Sequence, residues 1–339
     1  MTIHLGYGLI TCQSHPDDPR TTEALVDEAV SLAVEAERIG LDSVWVSEHH
    51  HVDDGHLGAL LTMLAGLATV TSRIALGTGV VLAPLHEPVR IAEEAALVDL
   101  LSHGRLILGL GLGWREEEFA AVGVSQRERG RRLEDTVAVL RHAARGEPTR
   151  RRADGQPMAR ITPARVGGPP LWIGALSEPG IARAGRIADG LLATEVTPAE
   201  LAAAVEQVRA AAVAAGRDPG DITIALHLPT LVTQEPWAAV RDRLRYPGWK
   251  YEDMDGQWAS AGPLGRPGPW AAALEEERLR STSLVGPPRA VADRIREYAA
   301  AAGGDLHMVA RSYLPGSGAQ AQRAALAGLA TVRDLLGGA

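Results

Sequence analysis

Ile74-Ala-Leu-Gly-Thr-Gly-Val-Val-Leu82 and Gly104-Arg-Leu-Ile-Leu-Gly-Leu-Gly-Leu-Gly-Trp114, with the segment between them and Phe119 beyond, decide the fold. The first run is β-branched and glycine-spaced without polar alternation, the pattern of a parallel strand covered on both faces. Pro88 suits the first position of a helix, where its missing N–H costs nothing. Apolar residues then recur from Val89 to Leu101 at helical spacing. His103-Gly104 stops that helix, and Arg105 to Leu112 makes a second buried strand, with Trp114 just past its C-terminal end. Two parallel strands joined by a helix form one βαβ unit. Gly77, Gly79, Gly109, Gly111 and Gly113 predict that something flat approaches the backbone there.

The same alternation extends in both directions. Before the opening stretch come a strand at Leu5 to Ile10, a helix capped by Thr21 or Thr22, and a strand at Ser43 to Ser47. That first helix has the apolar face Leu25, Ala29, Leu32, Ala33 and Ala36 and ends at Gly40. A further helix runs from Gly58 to Val70. After the stretch come a helix at Gln126 to Ala144, strand five at Pro170 to Ala175 and a helix opening near Ser177. Strand six at Gly190 to Thr194, a helix at Pro198 to Ala215 and strand seven at Ile222 to Val232 follow. A helix at Pro287 to Ala302, strand eight at Leu306 to Leu314 and a closing helix at Ala319 to Leu336 end the chain. Eight such repeats predict an α/β fold, a (β/α)8 TIM barrel formed as a single domain over residues 1–339. The alternative is an open doubly wound sheet, and a helix after the last strand favours closure. Two excursions stand out as insertions after strands four and seven: 146–168, rich in Pro, Gly and Arg, and 234–283, with Trp237, Trp249, Trp258 and Trp270.

Composition narrows the function. A net charge of −8, with no basic block except Arg150 to Arg152, argues against nucleic acid as a partner. Cys12 is the only cysteine, which excludes an intrachain disulfide and a cysteine-based metal site. No secretory pattern and no span long enough for a bilayer are present, so a cytoplasmic enzyme is expected. Lys250 is the only lysine beside many arginines, a bias of base composition.

Barrel enzymes work at the C-terminal ends of their strands. Those ends carry Gln13, Glu48-His49-His50, Gly79-Val80, Gly111 to Trp114, Ala175-Leu176-Ser177, Thr194-Glu195, Thr230 and Arg311. Glu48-His49-His50 is the sharpest signal, because a histidine in an apolar mouth exchanges protons near neutral pH. On an extended chain His49, His50 and His51 alternate sides, so at most two point the same way. A metal reading would recruit His4 and His227 from other strands, but no His-x-His pair opens strand one, and no metal is expected. Gly109-x-Gly111-x-Gly113 lacks the spacing of a dinucleotide fingerprint, which argues against NAD bound in that way. Ser177-Glu178-Pro179-Gly180 opens a helix whose N–H groups suit a phosphate, although ordinary capping is the more frequent use of such a sequence. The tryptophan-rich excursion reads either as a lid or as aromatics pinning a long loop to the rim.

Four motifs coincide: Ala36-Glu37-x-x-Gly40-Leu-Asp-Ser-Val-Trp45 leading into Glu48-His49-His50, and Arg73 to Pro84 with Glu87-Pro88, are the first two. Asp99 to Trp114 with Glu118-Phe119, and Val285-Gly-Pro-Pro with Pro315-Gly316, complete the set. Together they resemble the bacterial luciferase-like monooxygenase superfamily, which covers FMN-dependent monooxygenases and related F420-dependent oxidoreductases. The resemblance implies a flavin ring over the strand ends, a non-proline cis peptide at Gly79-Val80 and an active-site histidine at His49. It implies cofactor contacts from Gly79, Val80, Gly111, Gly113 and Trp114, and phosphate contacts through the backbone of Ala175, Leu176 and Ser177. Leu112 stands where luciferase's catalytic subunit has a flavin-contacting arginine. The expected activity is two-component oxygenation of a bulky organic substrate by O2 and reduced FMN from a separate flavin reductase, with His49 as acid/base and Glu48 or His50 orienting it. F420-dependent hydride transfer is the alternative, and a non-catalytic flavin-binding protein is a further one. A homodimer through the helices 58–70 and 89–101 is expected.

Overall fold

The computed structural model describes residues 1–15, 18–241, 243–244 and 276–337. Eight parallel strands close into a barrel: β1 (Ile3–Ile10), β2 (Ser43–Val46), β3 (Ala75–Thr78), β5 (Leu106–Gly111), β6 (Leu171–Gly174), β7 (Gly190–Thr194), β8 (Thr223–Val232) and β10 (Leu306–Arg311). The ring is sealed where β10 pairs with both β8 and β1. The helices α1 (Thr22–Arg38), α2 (Leu60–Val70), α3 (Pro88–Leu101), α5 (Arg129–Ala144), α6 (Glu178–Ile187), α7 (Pro198–Ala214), α9 (Pro288–Ala302) and α10 (Gly318–Gly337) alternate with the strands. The TIM-barrel expectation therefore holds.

Local signals operate as the sequence implies. Thr21 caps α1 by accepting the Ala24 N–H at 3.3 Å, and the buried face is Leu25, Ala29, Leu32, Ala33 and Ala36. Pro88 is the first residue of α3. The expected single strand from Ile74 to Leu82 is instead two pieces, β3 and the two-residue β4 (Val81–Leu82), separated at a cis Gly79-Val80 peptide. A second non-proline cis bond, Gly8-Leu9, was not expected. Strand eight ends at Arg311 rather than Leu314. Two short helices, α4 (Glu116–Ala121) and α8 (Glu276–Ser281), and the edge strand β9 (Leu284–Gly286) on β8 also lie outside the sequence reading. Each is six residues or fewer, too short to display a period.

Alternate residues of each strand point to the barrel axis. There Trp45 and Trp172 stack with ring centroids 5.4 Å apart, packed among Leu9, Leu192, Ala225 and Val309. A Cβ on Gly77 would lie 2.3 Å from the Trp45 ring, so this glycine makes room for an indole. Below the stack, Ser43 Oγ accepts the Trp45 indole N–H at 2.8 Å and shares a 2.7 Å hydrogen bond with His307 Nε2.

Burial, with a smaller contribution from His4, pushes His307 down to about 3, so it is neutral in the folded protein. The unfolded chain protonates the same residue near its ordinary value of about 6.5. Between those values the unfolded state binds more protons, so stability falls as pH drops from about 6.5 towards 3. A His307→Gln variant should show a shallower loss over this range in urea titrations at successive pH values.

The excursion 146–168 is tied down by Arg165, whose guanidinium donates to both carboxylate oxygens of buried Asp99 at 2.8 and 3.2 Å. At the edges of the second excursion, Val240, Leu244 and Leu279 pack on Leu231 and Leu314. Trp237 donates its indole N–H to Glu276 at 3.0 Å, a pinning role. Trp249, Trp258 and Trp270 lie outside the described residues, so the lid expectation is not addressed there.

Candidate active site

The C-terminal strand ends surround a cavity of about 270 Å³, near the lower end of the roughly 300–1,000 Å³ of small-molecule sites. Leu9, Val80, Leu112, Trp114, Ile173 and Leu192 supply its apolar walls. Polar groups enter at three places.

The first is the β2 exit. His49 is buried against the cavity, and its Nδ1 meets Oε1 of Glu118, on α4, at 3.0 Å. The same oxygen accepts the His50 backbone N–H at 2.8 Å. Glu118 is fully buried, so a carboxylate removed from water holds the ring by one nitrogen, an arrangement that fixes a tautomer. Arg115 secures the loop by donating Nη1 to the carbonyls of His50 (2.8 Å) and His51 (3.1 Å). Alternation would have put His51 on the side of His49, but His51 is exposed because its backbone turns left-handed, with φ 52°.

The carboxylate that orients His49 is thus Glu118, and the expectation that Glu48 or His50 does so is corrected. Glu48 Oε1 lies 2.6 Å from Nε2 of both His50 and His86, and Oε2 accepts the Leu82 N–H at 3.2 Å. Burial works to raise the Glu48 carboxyl, but the two imidazole hydrogen bonds outweigh it and hold it below the ordinary carboxylate range. The same contact raises His50. Glu48, His50 and His86 offer ligand atoms within 4.8 Å of one another. Each imidazole already sits at hydrogen-bond distance from the carboxylate, so the cluster is complete with protons alone.

The second place lies between β6 and α6. Ser177 caps α6 by accepting the Gly180 N–H at 3.4 Å, and Pro179 has no N–H to offer. Two guanidiniums, Arg129 from α5 and Arg183 from α6, line the cavity at this end. Arg129 donates to Gly113 O at 3.1 Å and Arg183 to Glu134 at 2.8 Å. Burial, then the nearby Arg183 charge, lowers Arg129.

The third place spans β7, β8 and β10. Thr194 Oγ1 is 3.0 Å from His227 Nδ1, and Glu195 and Arg311 complete this wall. Burial pushes Glu195 up to about 7, with Arg311 and Arg278 opposing it. Burial, then Arg311, pushes His227 down to about 3.

Of the residues singled out in the sequence, Glu48, His49, Gly79, Val80, Gly111, Gly113, Trp114, Ala175, Leu176 and Ser177 all line this one cavity. His50 stands behind Glu48, while Gln13 turns away to Asp54 (2.9 Å). The glycine expectation is corrected in part. A Cβ on Gly109 would meet Thr78 O at 2.1 Å and one on Gly111 would meet Val80 at 2.3 Å, so the protein's own atoms make the close approach. Glu118, Arg129, Arg183 and His86 were not assigned. Glu118 lies on a helix too short to detect, and the arginines lie on amphipathic helices among many others. His307, a third strand histidine, was passed over.

A family model described as luciferase-like monooxygenase matches residues 7–305. The 4-hydroxyprotoasukamycin monooxygenase of Streptomyces nodosus subsp. asukaensis is 28% identical over 88% of this chain and 84% of its own. The oxygenase component of a flavin-dependent trigonelline monooxygenase from Acinetobacter baylyi is 28% identical over 50% of this chain, which spans about half of that relative, 48%. An F420-dependent glucose-6-phosphate dehydrogenase from Kineococcus radiotolerans is 32% identical over 62% of this chain and 66% of its own. With its closed parallel barrel and a model match over nearly all its length, the chain belongs to the luciferase-like monooxygenase family, a family of oxidoreductases.

Proposed function

We propose that this protein is the oxygenase component of a two-component flavin monooxygenase, taking reduced FMN from a separate reductase and oxygenating an organic substrate. The observation that carries the reading is the pairing, in one cavity, of a carboxylate-held imidazole with a two-arginine end beside the α6 N-terminus. The apolar walls suit a planar ring, and Arg129 with Arg183 suits a phosphate tail. Arg129, bonded to Gly113 just past β5, brings a cation to the neighbourhood where Leu112 provides none. Bound reduced FMN would supply electrons and the activation of O2. The chain's own part is to hold the ring against Val80, exclude water with apolar walls, and move a proton through His49 Nε2 while Glu118 holds Nδ1. The chain's match to an F420-dependent relative supports a competing reading, hydride transfer without oxygen.

One titration decides between them. The purified chain should bind reduced FMN more tightly than reduced F420 and consume O2 with it. Anaerobic turnover with reduced F420 and no oxygen uptake with FMN would transfer the assignment to the rival. Arg129→Met should weaken FMN about tenfold or more and leave riboflavin, which lacks the phosphate, unaffected.

The proposed assembly is a homodimer through α2 and α3. Val70, Leu97 and Leu101 are exposed apolar residues on these two helices, which supports burial there against a second copy. Light scattering should give twice the chain mass, and a monomer at micromolar concentration would overturn this.

A further inference from the structure

On β10 the inward residues rise in order. His307 lies beneath the stacked indoles, Val309 packs in their layer, and Arg311, two residues on, faces the cavity. Arg311 is only 8% exposed, yet among the described residues its guanidinium makes no hydrogen bond and no ion pair. Its ladder partners are Gly8 and Pro229, which have no side-chain acceptor to offer. Glu195 lines the same wall without closing an ion pair with it. A guanidinium does not deprotonate in a protein, so a full charge faces the open volume of a largely apolar cavity. Burying such a charge is costly unless an anion meets it.

The phosphate tail of a cofactor does not answer this need. Arg129 sits at the exit of β5, and in the strand order β5 lies diametrically across the ring from β10. The two ends also differ in charge. The α6 end gathers two guanidiniums in the cavity lining, whereas at the β10 end Arg311 alone lines it, beside a neutral imidazole and a weakly acidic carboxyl, with Arg278 outside the cavity.

We propose that Arg311 is the seat of a carboxylate on the substrate, a monoanion taken by the planar guanidinium fork with Thr194 and His227 alongside. Leu9 and Leu192 then contact the apolar body of that substrate. This rests on the oxygenase reading for the word substrate, but the subsite itself is tested by binding. Two isosteric probes, benzoate and benzamide, are titrated calorimetrically into the full chain with and without FMN. Benzoate should bind at least tenfold more tightly than benzamide. Arg311→Met should remove that difference by weakening benzoate alone, and Arg311→Lys should restore part of it.

Equal affinity of the two probes for the wild-type chain would overturn the proposal without any variant. So would an Arg311→Met protein that keeps the benzoate preference, or one that loses FMN affinity and leaves benzoate unchanged. A benzoate preference that persists when reduced FMN consumes no oxygen would sustain the subsite and remove the oxygenase reading instead.

Discussion

If the proposed oxygenase reading holds, His49→Ala should lower formation of the oxygenated product by about 10²–10⁴-fold, the usual contribution of a positioned acid or base, with reduced FMN binding as before. The expectation follows from where His49 stands, its ring edge-on to those of His56 and Trp114 at the cavity. It sits on the cavity wall beyond β2, outside the ladder, and its Nδ1 is committed to Glu118. Glu118→Gln tests the partner separately. The amide preserves volume and can still meet the His50 N–H, but its oxygen is a weaker acceptor for the His49 ring than a carboxylate. Glu118→Gln should therefore lower the rate, by less than His49→Ala, and leave FMN affinity unchanged. An unchanged rate would show that Glu118 only packs. Single-turnover measurements with preloaded reduced FMN separate this from any effect on cofactor delivery.

Trp45→Ala should be the most destabilising single change in the barrel interior. The indole is fully buried, stacks on Trp172, occupies the space left by Gly77 and donates its N–H to Ser43. Truncation of such a residue costs about 3–5 kcal/mol through lost burial and the cavity left behind. Urea denaturation should show the midpoint falling at nearly constant slope. A loss below about 1 kcal/mol would mean that the layer collapses around the gap. The same variant carrying Gly77→Val tests whether part of the volume can be returned from the neighbouring strand.

Periodicity fixes the barrel because both of its signals are long. Buried strands read as continuous apolar runs, and α1 and α3 repeat their apolar residues over several turns. Position along those strands then located most of the cavity lining, since a strand end is a place and not a chemistry. What could not be read was pairing between distant loops. His49 and Glu118 are 69 residues apart, and α4 has too few turns to announce which of Glu116, Glu117 and Glu118 turns inward. Glycine spacing carried two meanings that sequence does not separate: Gly77 and Gly111 make room for Trp45 and Val80 from within the chain, while Gly79, Gly111 and Gly113 also line the cavity.

Five polar groups in and around the cup come from five different exits of the barrel: His49 after β2, Glu118 after β5, Ser177 after β6, Glu195 after β7, and Arg311 at the tip of β10. The hydrogen-bonded staves beneath them are continuous and do not depend on what the tips carry. Randomising those five positions together should therefore give a library in which most clones still fold while their chemistry diverges. The same diversity introduced one layer down, at Trp45 or Trp172, should yield few soluble clones.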